Sequence, residues 1–260
     1  MRWLLAQPAG LVFPRNFGVL FGLGTVALGL AMFMLQRTRE PPDSETPPSV
    51  SILHQFRRAM RLVRGDANYG RFLTMRGALL VGGSASPFFA VFAQRQLGAP
   101  PEMVGGYLAV VSGVALVSNM LYGRYSVRLG NRRMMVLATA LGLVMSTLVL
   151  GFVLLAGPLA IRGMSAALCL LPIYALLSAR EAGIGVAGYI LLMDIAPPAE
   201  RSIYMGFTNS ILGIILLSTA LSGVVVEQWG FIALVAVTLA AYILAMWAAL
   251  TMRDAALQGA

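Results

Sequence analysis

Two ionisable residues, Arg180 and Glu181, stand side by side near the centre of an apolar run that extends from Met164 to Met193. An arginine at the middle of a bilayer costs from about 3 to above 10 kcal/mol, so such a residue faces a cavity or a partner. Adjacent helical positions point ~100° apart, so the two need not pair with each other. Two kinds of chemistry suit them. In one, Glu181 carries a proton while Arg180 contacts an anion or tunes the acidity of its neighbour. In the other, both belong to a neutralising network that only holds helices together. Asn119 and Asn209 are further polar residues inside apolar runs, suited either to lining the same path or to hydrogen bonding between helices. Arg76 lies near the end of a run, where a long side chain can snorkel to the interface.

Hydrolytic and metal chemistry lacks its usual parts. His54 is the sole histidine, and Cys169, the sole cysteine, lies in an apolar run with no histidine near it in sequence. Serine–histidine, cysteine–histidine and multi-histidine zinc sites are thereby deprived of a component, and an intramolecular disulfide is impossible. No P-loop is present, which argues against ATP hydrolysis. We therefore expect neither an enzyme nor a bound metal or cofactor.

The elements that must position these residues are membrane spans. Apolar residues make up 58% of the chain and charged residues 11%, and the apolar runs exceed the roughly 18 residues that mark a spanning helix. Spans are expected at residues 17–35, 72–93, 104–122, 134–156, 164–193, 203–226 and 231–252. The fifth exceeds the ~20 residues a bilayer needs, so it must tilt, bend at Pro172 or protrude. All the basic residues are arginine, and the formal charge is +9. Their position beside the spans points to lipid headgroups and away from nucleic acid. Arg37, Arg39, Arg57, Arg58, Arg61, Arg64, Arg71, Arg124, Arg128, Arg132, Arg133, Arg201 and Arg253 fall on one side, against Arg2, Arg15, Arg95 and Arg162 on the other. The positive-inside rule then puts the N-terminus outside and the C-terminus in the cytoplasm. Pro8, Pro14 and Arg15 interrupt any signal-peptide pattern, so the first span is expected to stay in the membrane.

Residues 36–70 form the long loop. Its first part, with Pro41, Pro42, Pro47 and Pro48, reads as a flexible linker. Beyond Ser49, Ile52, Phe56, Ala59, Met60 and Val63 recur at helical spacing opposite Arg57, Arg58, Arg61 and Arg64. That pattern is an amphipathic helix suited to resting on anionic headgroups or to a regulatory contact. Small residues four apart, such as Gly18 with Gly22, Ala179 with Gly183, and Gly206 with Ser210, favour close helix packing.

The segment between the third and fourth spans runs from Gly123 to Arg133 and is basic, with Gly123 and Gly130 seven apart. Its arginines can pair with acids or with helix C-terminal carbonyls, forming a cytoplasmic latch or an ordinary positive-inside loop. Gly123, Arg128, Gly130, Arg132 and Arg133 resemble the G-x-L-A-D-R-x-G-R-R signature of the major facilitator superfamily, with Val127 at the acidic position. Asp194, Pro197, Pro198, Glu200, Arg201, Tyr204 and Gly206 are similar to that family's turn between its tenth and eleventh helices.

The resemblance implies an all-α polytopic membrane protein with about seven transmembrane helices, equivalent to helices six to twelve of a twelve-helix transporter. Residues 1–35 would hold the sixth helix, 36–70 the cytoplasmic linker, 71–253 a six-helix bundle and 254–260 a cytoplasmic tail. It also implies rocking of two bundles around a midplane site, with Arg180, Glu181, Asn119 and Asn209 on the substrate or proton path. Gly123, Arg128, Gly130, Arg132, Arg133, Asp194, Glu200 and Arg201 would form the cytoplasmic gate. The partners expected are a small-molecule substrate, membrane lipids and a second bundle or a homodimer mate, in the bacterial inner membrane. An inactive fragment of a transporter gene and a seven-helix protein without transport activity are the alternatives.

Overall fold

The computed structural model describes residues 15–37, 58, 60, 61, 63 and 65–253. Arg2, Arg39, His54, Ile52, Phe56, Arg57, Ala59, Arg64, most of the proline-rich linker and the 254–260 tail lie outside the described residues. Two compact units are present, residues 1–49 and 50–260.

In the first unit, α1 covers Arg15–Gln36, and its apolar part, Phe21–Gln36, is shorter than the stretches that could cross a membrane. The Arg37 guanidinium just beyond its end sits 4.8 Å over the Phe33 ring.

The second unit is built from α2 (Ala67–Gly82), α3 (Phe88–Leu97), α4 (Met103–Leu129), α5 (Asn131–Leu155), α6 (Met164–Ile195), α7 (Arg201–Ser218) and α8 (Ser222–Thr251). Asp66 starts α2 by accepting hydrogen bonds from the backbone amides of Asn68 and Tyr69 at 2.8 and 3.1 Å. These are two of the donors that a helix start leaves unpaired. A 3-10 turn at Gly83–Ala85 and Pro87 interrupt the chain before α3, so α2 and α3 together form one long apolar stretch, Ala67–Leu97.

Among the described residues, five stretches are long and apolar enough to cross a membrane, the last being Pro198–Thr251 with 54 residues. A straight helix of that length would reach about 80 Å, far more than a bilayer. Its two ends nevertheless meet the same helix start. The Tyr69 hydroxyl donates to the Tyr204 carbonyl at 3.2 Å, while the Asn68 side chain donates to the Arg253 carbonyl and accepts from the Arg253 amide at 3.1 and 2.8 Å. The chain must double back, and it does so at Gly230, whose φ of 82° lies where side-chain-bearing residues are strained. The sixth and seventh expected spans thus occupy the two limbs of one hairpin.

The expected basic loop at Gly123–Arg133 is mostly helix. α4 continues to Leu129, α5 starts at Asn131, and Gly130 alone, with φ 82°, makes the turn. α6 runs unbroken through Pro172 for 32 residues. Residues 58, 60, 61, 63 and 65 are helical, and Met60 and Val63 pack on the bundle core while Arg58 and Arg61 are exposed. At these positions the apolar face of the amphipathic segment therefore rests on protein.

α6 packs between α4 and α5, α8 between α2 and α5, and α7 against α2. Ala138, Ala166, Ala187, Ala245 and Ala248 are fully buried in these interfaces, where small side chains let backbones approach. Leu116, Met120, Val127, Leu217 and Trp247 are exposed, as suits a surface whose solvent is lipid. The tightest approach surrounds Tyr242 of α8, which is fully buried. A Cβ added at Gly82 of α2 would lie 2.8 Å from the ring, and one added at Gly142 of α5 would overlap it. Gly151, on the same helix α5, has nothing within 4 Å. Overpacking a filled core costs about 1–3 kcal/mol, so Gly142→Ala is expected to lower the melting midpoint of the detergent-purified protein, whereas Gly151→Ala leaves it within error.

Candidate functional site

α6 brings Arg180 and Glu181 to the middle of the bundle. Arg180 is 3% exposed, so each of its donors needs an acceptor inside the protein. Nη1 donates to the Tyr242 hydroxyl of α8 and, at 3.5 Å, to the Leu79 carbonyl of α2. Nη2 donates to the Glu181 carboxylate. Sequence spacing leaves pairing of these neighbours open, and the structure makes the pair. The absence of a side chain on Gly83 leaves room for the guanidinium, since a Cβ there would lie 3.1 Å from Nη2. Nε of Arg180 is buried without a hydrogen-bond partner among the described residues.

Glu181 is different, because 57% of its side chain is exposed. It borders two cavities. One, of about 720 Å3, is lined by Arg76, Gly83, Ser84, Arg180, Glu181 and Thr219 among others. The second, of about 400 Å3, brings Glu181 together with Ser86, Asn119 and Ser178. Ser178 Oγ donates to the Val111 carbonyl at 2.7 Å and so ties α6 to α4. Asn119 thus joins the pair expected to accompany it, whereas Asn209 is exposed on α7 and borders neither cavity.

Two residues given no such role by sequence reasoning complete the site. Tyr242 links Arg180 to α8, and its midway position in the last span is the only signal the sequence carries. Arg76 lines the larger cavity. Its guanidinium lies against α6, 5.9 Å from the Tyr189 ring centroid, and a Cβ at Gly188 would come within 2.8 Å of Nη1. Arg76 and Gly83, seven residues apart, fall on nearly the same helix face, and that face carries both arginine contacts into the cavity. A cation–π contact is worth about 0.5–2 kcal/mol, and Arg76 is only partly buried.

The residues expected to form a gate lie at the arginine-rich end. The Asn131 amide donates to Asp194 Oδ2 at 2.7 Å, joining the start of α5 to the end of α6. Arg132 Nη2 donates at 2.9 Å to the Leu250 carbonyl in the last turn of α8, where a cation also meets the negative end of the helix dipole. Glu200 pairs with Arg58 at 2.7 Å. Gly123 is an ordinary helical residue of α4, Gly130 forms the turn, and Arg128, Arg133 and Arg201 are exposed.

This arrangement can hold a polar solute beside a carboxylate and two guanidinium groups within an apolar bundle. The chain is 25% identical over 246 residues to sugar efflux transporter A of Escherichia coli (strain K12), a match covering 90% of this chain and 56% of that protein. The chain spans about half the length of this curated relative. No family model matches the chain, and no solved structure does. The apolar helices of the described residues are those of an integral membrane protein.

Replacing Tyr242 by phenylalanine removes one acceptor from a buried guanidinium and keeps the ring. Leaving a buried charged donor short of a partner costs about 1–3 kcal/mol or more, so Tyr242→Phe is expected to lower the thermal midpoint clearly. Glu200→Gln breaks only a pair whose arginine is 48% exposed and is expected to change stability by less than about 1 kcal/mol. Thermal unfolding of both variants in detergent tests the contrast.

Proposed function

We propose that this chain forms the substrate-binding bundle of a secondary transporter that moves a small sugar-type solute across a bacterial inner membrane by alternating access. The observation that carries the reading is Glu181, a half-exposed carboxylate held by a buried arginine at the junction of two cavities within the bundle. Ionisable residues inside spans mark substrate or proton pathways. The larger cavity is within the 300–1,000 Å3 range usual for small-molecule sites. The sugar class comes from the name of the similar E. coli protein.

In this reading Arg180 is the fixed charge and Glu181 the group that changes state. Arg180 has contacts from α2 and α8 that keep it in place, while Glu181 faces the open space where a proton or a solute hydroxyl can reach it. The arginine-rich end is cytoplasmic, by the positive-inside rule. Arg132, Asp194 and Glu200 there form a set of ties that open and close as the bundle rocks, with Arg128, Arg133 and Arg201 beside them. A second bundle, from a longer form of the protein or from a second copy, supplies the opposite wall, since transporters of this kind place their site between repeats. No catalytic chemistry is required of the chain.

Glu181→Gln keeps the size and loses the titratable proton. In proteoliposomes carrying the full-length protein, it is expected to abolish proton-coupled solute movement while membrane insertion and yield stay at wild-type levels. Proton-coupled movement at the wild-type rate would remove Glu181 from the mechanism.

A further inference from the structure

The larger cavity contains three ionisable side chains, Arg76, Arg180 and Glu181. Glu181 is already engaged by Nη2 of Arg180. The three side chains leave the cavity lining with one positive charge in excess. Arg76 lies over the Tyr189 ring and is attracted to Glu181, but that one carboxylate is shared with Arg180, so two guanidinium groups face a single negative charge. The residue is only partly buried, against a cavity wall, with Gly188 leaving the space in which its head group sits.

We infer that the solute bound in this cavity carries an anionic group, a carboxylate or a phosphate, which pairs with Arg76. This deepens the transport reading and rests on it. A planar guanidinium with free N–H donors matches either anion through two parallel hydrogen bonds. The rest of the solute would extend along the cavity toward Ser84, Glu181 and Thr219. Thr219 Oγ1 donates its proton to the Leu216 carbonyl and keeps acceptor capacity for a solute hydroxyl. Glu181, with an exposed oxygen, accepts from another. Together these groups favour a polyhydroxylated acid over the uncharged sugar of the same size.

The test is equilibrium binding to the full-length protein in a polyoxyethylene detergent, which has no sugar headgroup, with radiolabelled glucuronate and glucose as probes. Wild-type protein is expected to bind glucuronate at least about tenfold more tightly than glucose, the factor that one charge-assisted pair supplies. Arg76→Gln should abolish that preference, and Arg76→Lys, which keeps the charge, should retain most of it and serve as the folded control. Equal or tighter binding of glucose, binding of neither probe, or a preference that survives Arg76→Gln would overturn the inference. So would Arg76-dependent binding of phosphatidylglycerol without glucuronate binding, which assigns the cation to a lipid headgroup. Glucose counterflow in proteoliposomes separates the two readings: if it persists without a glucuronate preference, transport stands and the anionic solute falls.

Discussion

A guanidinium buried among apolar helices is the constraint on which the rest of the bundle depends. Arg180 has no access to bulk water, so its charge must be met by groups drawn from elsewhere in the fold. The Leu79 carbonyl comes from α2, the Tyr242 hydroxyl from α8 and the carboxylate from Glu181 on its own helix. Bringing a tyrosine to that point requires α2 and α5 to give way, and both do so with glycine, at 82 and 142. One electrostatic requirement thereby sets the mutual approach of four helices.

The two ends of this arrangement differ in what holds them. Around Tyr242 the contacts are dry and close, and loss of one partner leaves a buried charge exposed to an apolar medium. At the arginine-rich end the ties are hydrogen bonds among partly exposed groups, Asn131 to Asp194, Arg132 to the Leu250 carbonyl and Arg58 to Glu200. Exposed pairs contribute only about 0–1 kcal/mol each. The end that carries the basic motif is therefore held by weaker ties than the interior around Tyr242. Met60 and Val63 add an apolar contact there, so the segment preceding α2 is seated on the bundle by more than charge.

The cavity beside Glu181 owes its charge to helix rotation. Arg76 would be an interfacial anchor if its face of α2 turned outward. Because the same face carries Gly83 toward Arg180, it turns inward and places a second cation in the cavity.

Hydropathy by itself determined the all-α membrane architecture and the isolation of Arg180 and Glu181 inside an apolar run, because each of these depends on a local sum over about 20 residues. The motif residues likewise identified the arginine-rich end. What tertiary structure alone decided is which groups meet. The Arg180–Glu181 pair, the Tyr242 acceptor, the inward turn of Arg76 and the separation of Asn209 from the cavity all depend on helix rotation and on distances set by packing, which no one-dimensional pattern encodes. The loop reading of Gly123–Arg133 gave way for a related reason: polar residues at a helix end lower hydropathy without ending the helix, and only the backbone angle at Gly130 places the turn. The hairpin at Gly230 was legible as a gap between two apolar runs, but that both limbs return to the start of α2 follows from Tyr69 and Asn68, partners more than 130 residues away along the chain.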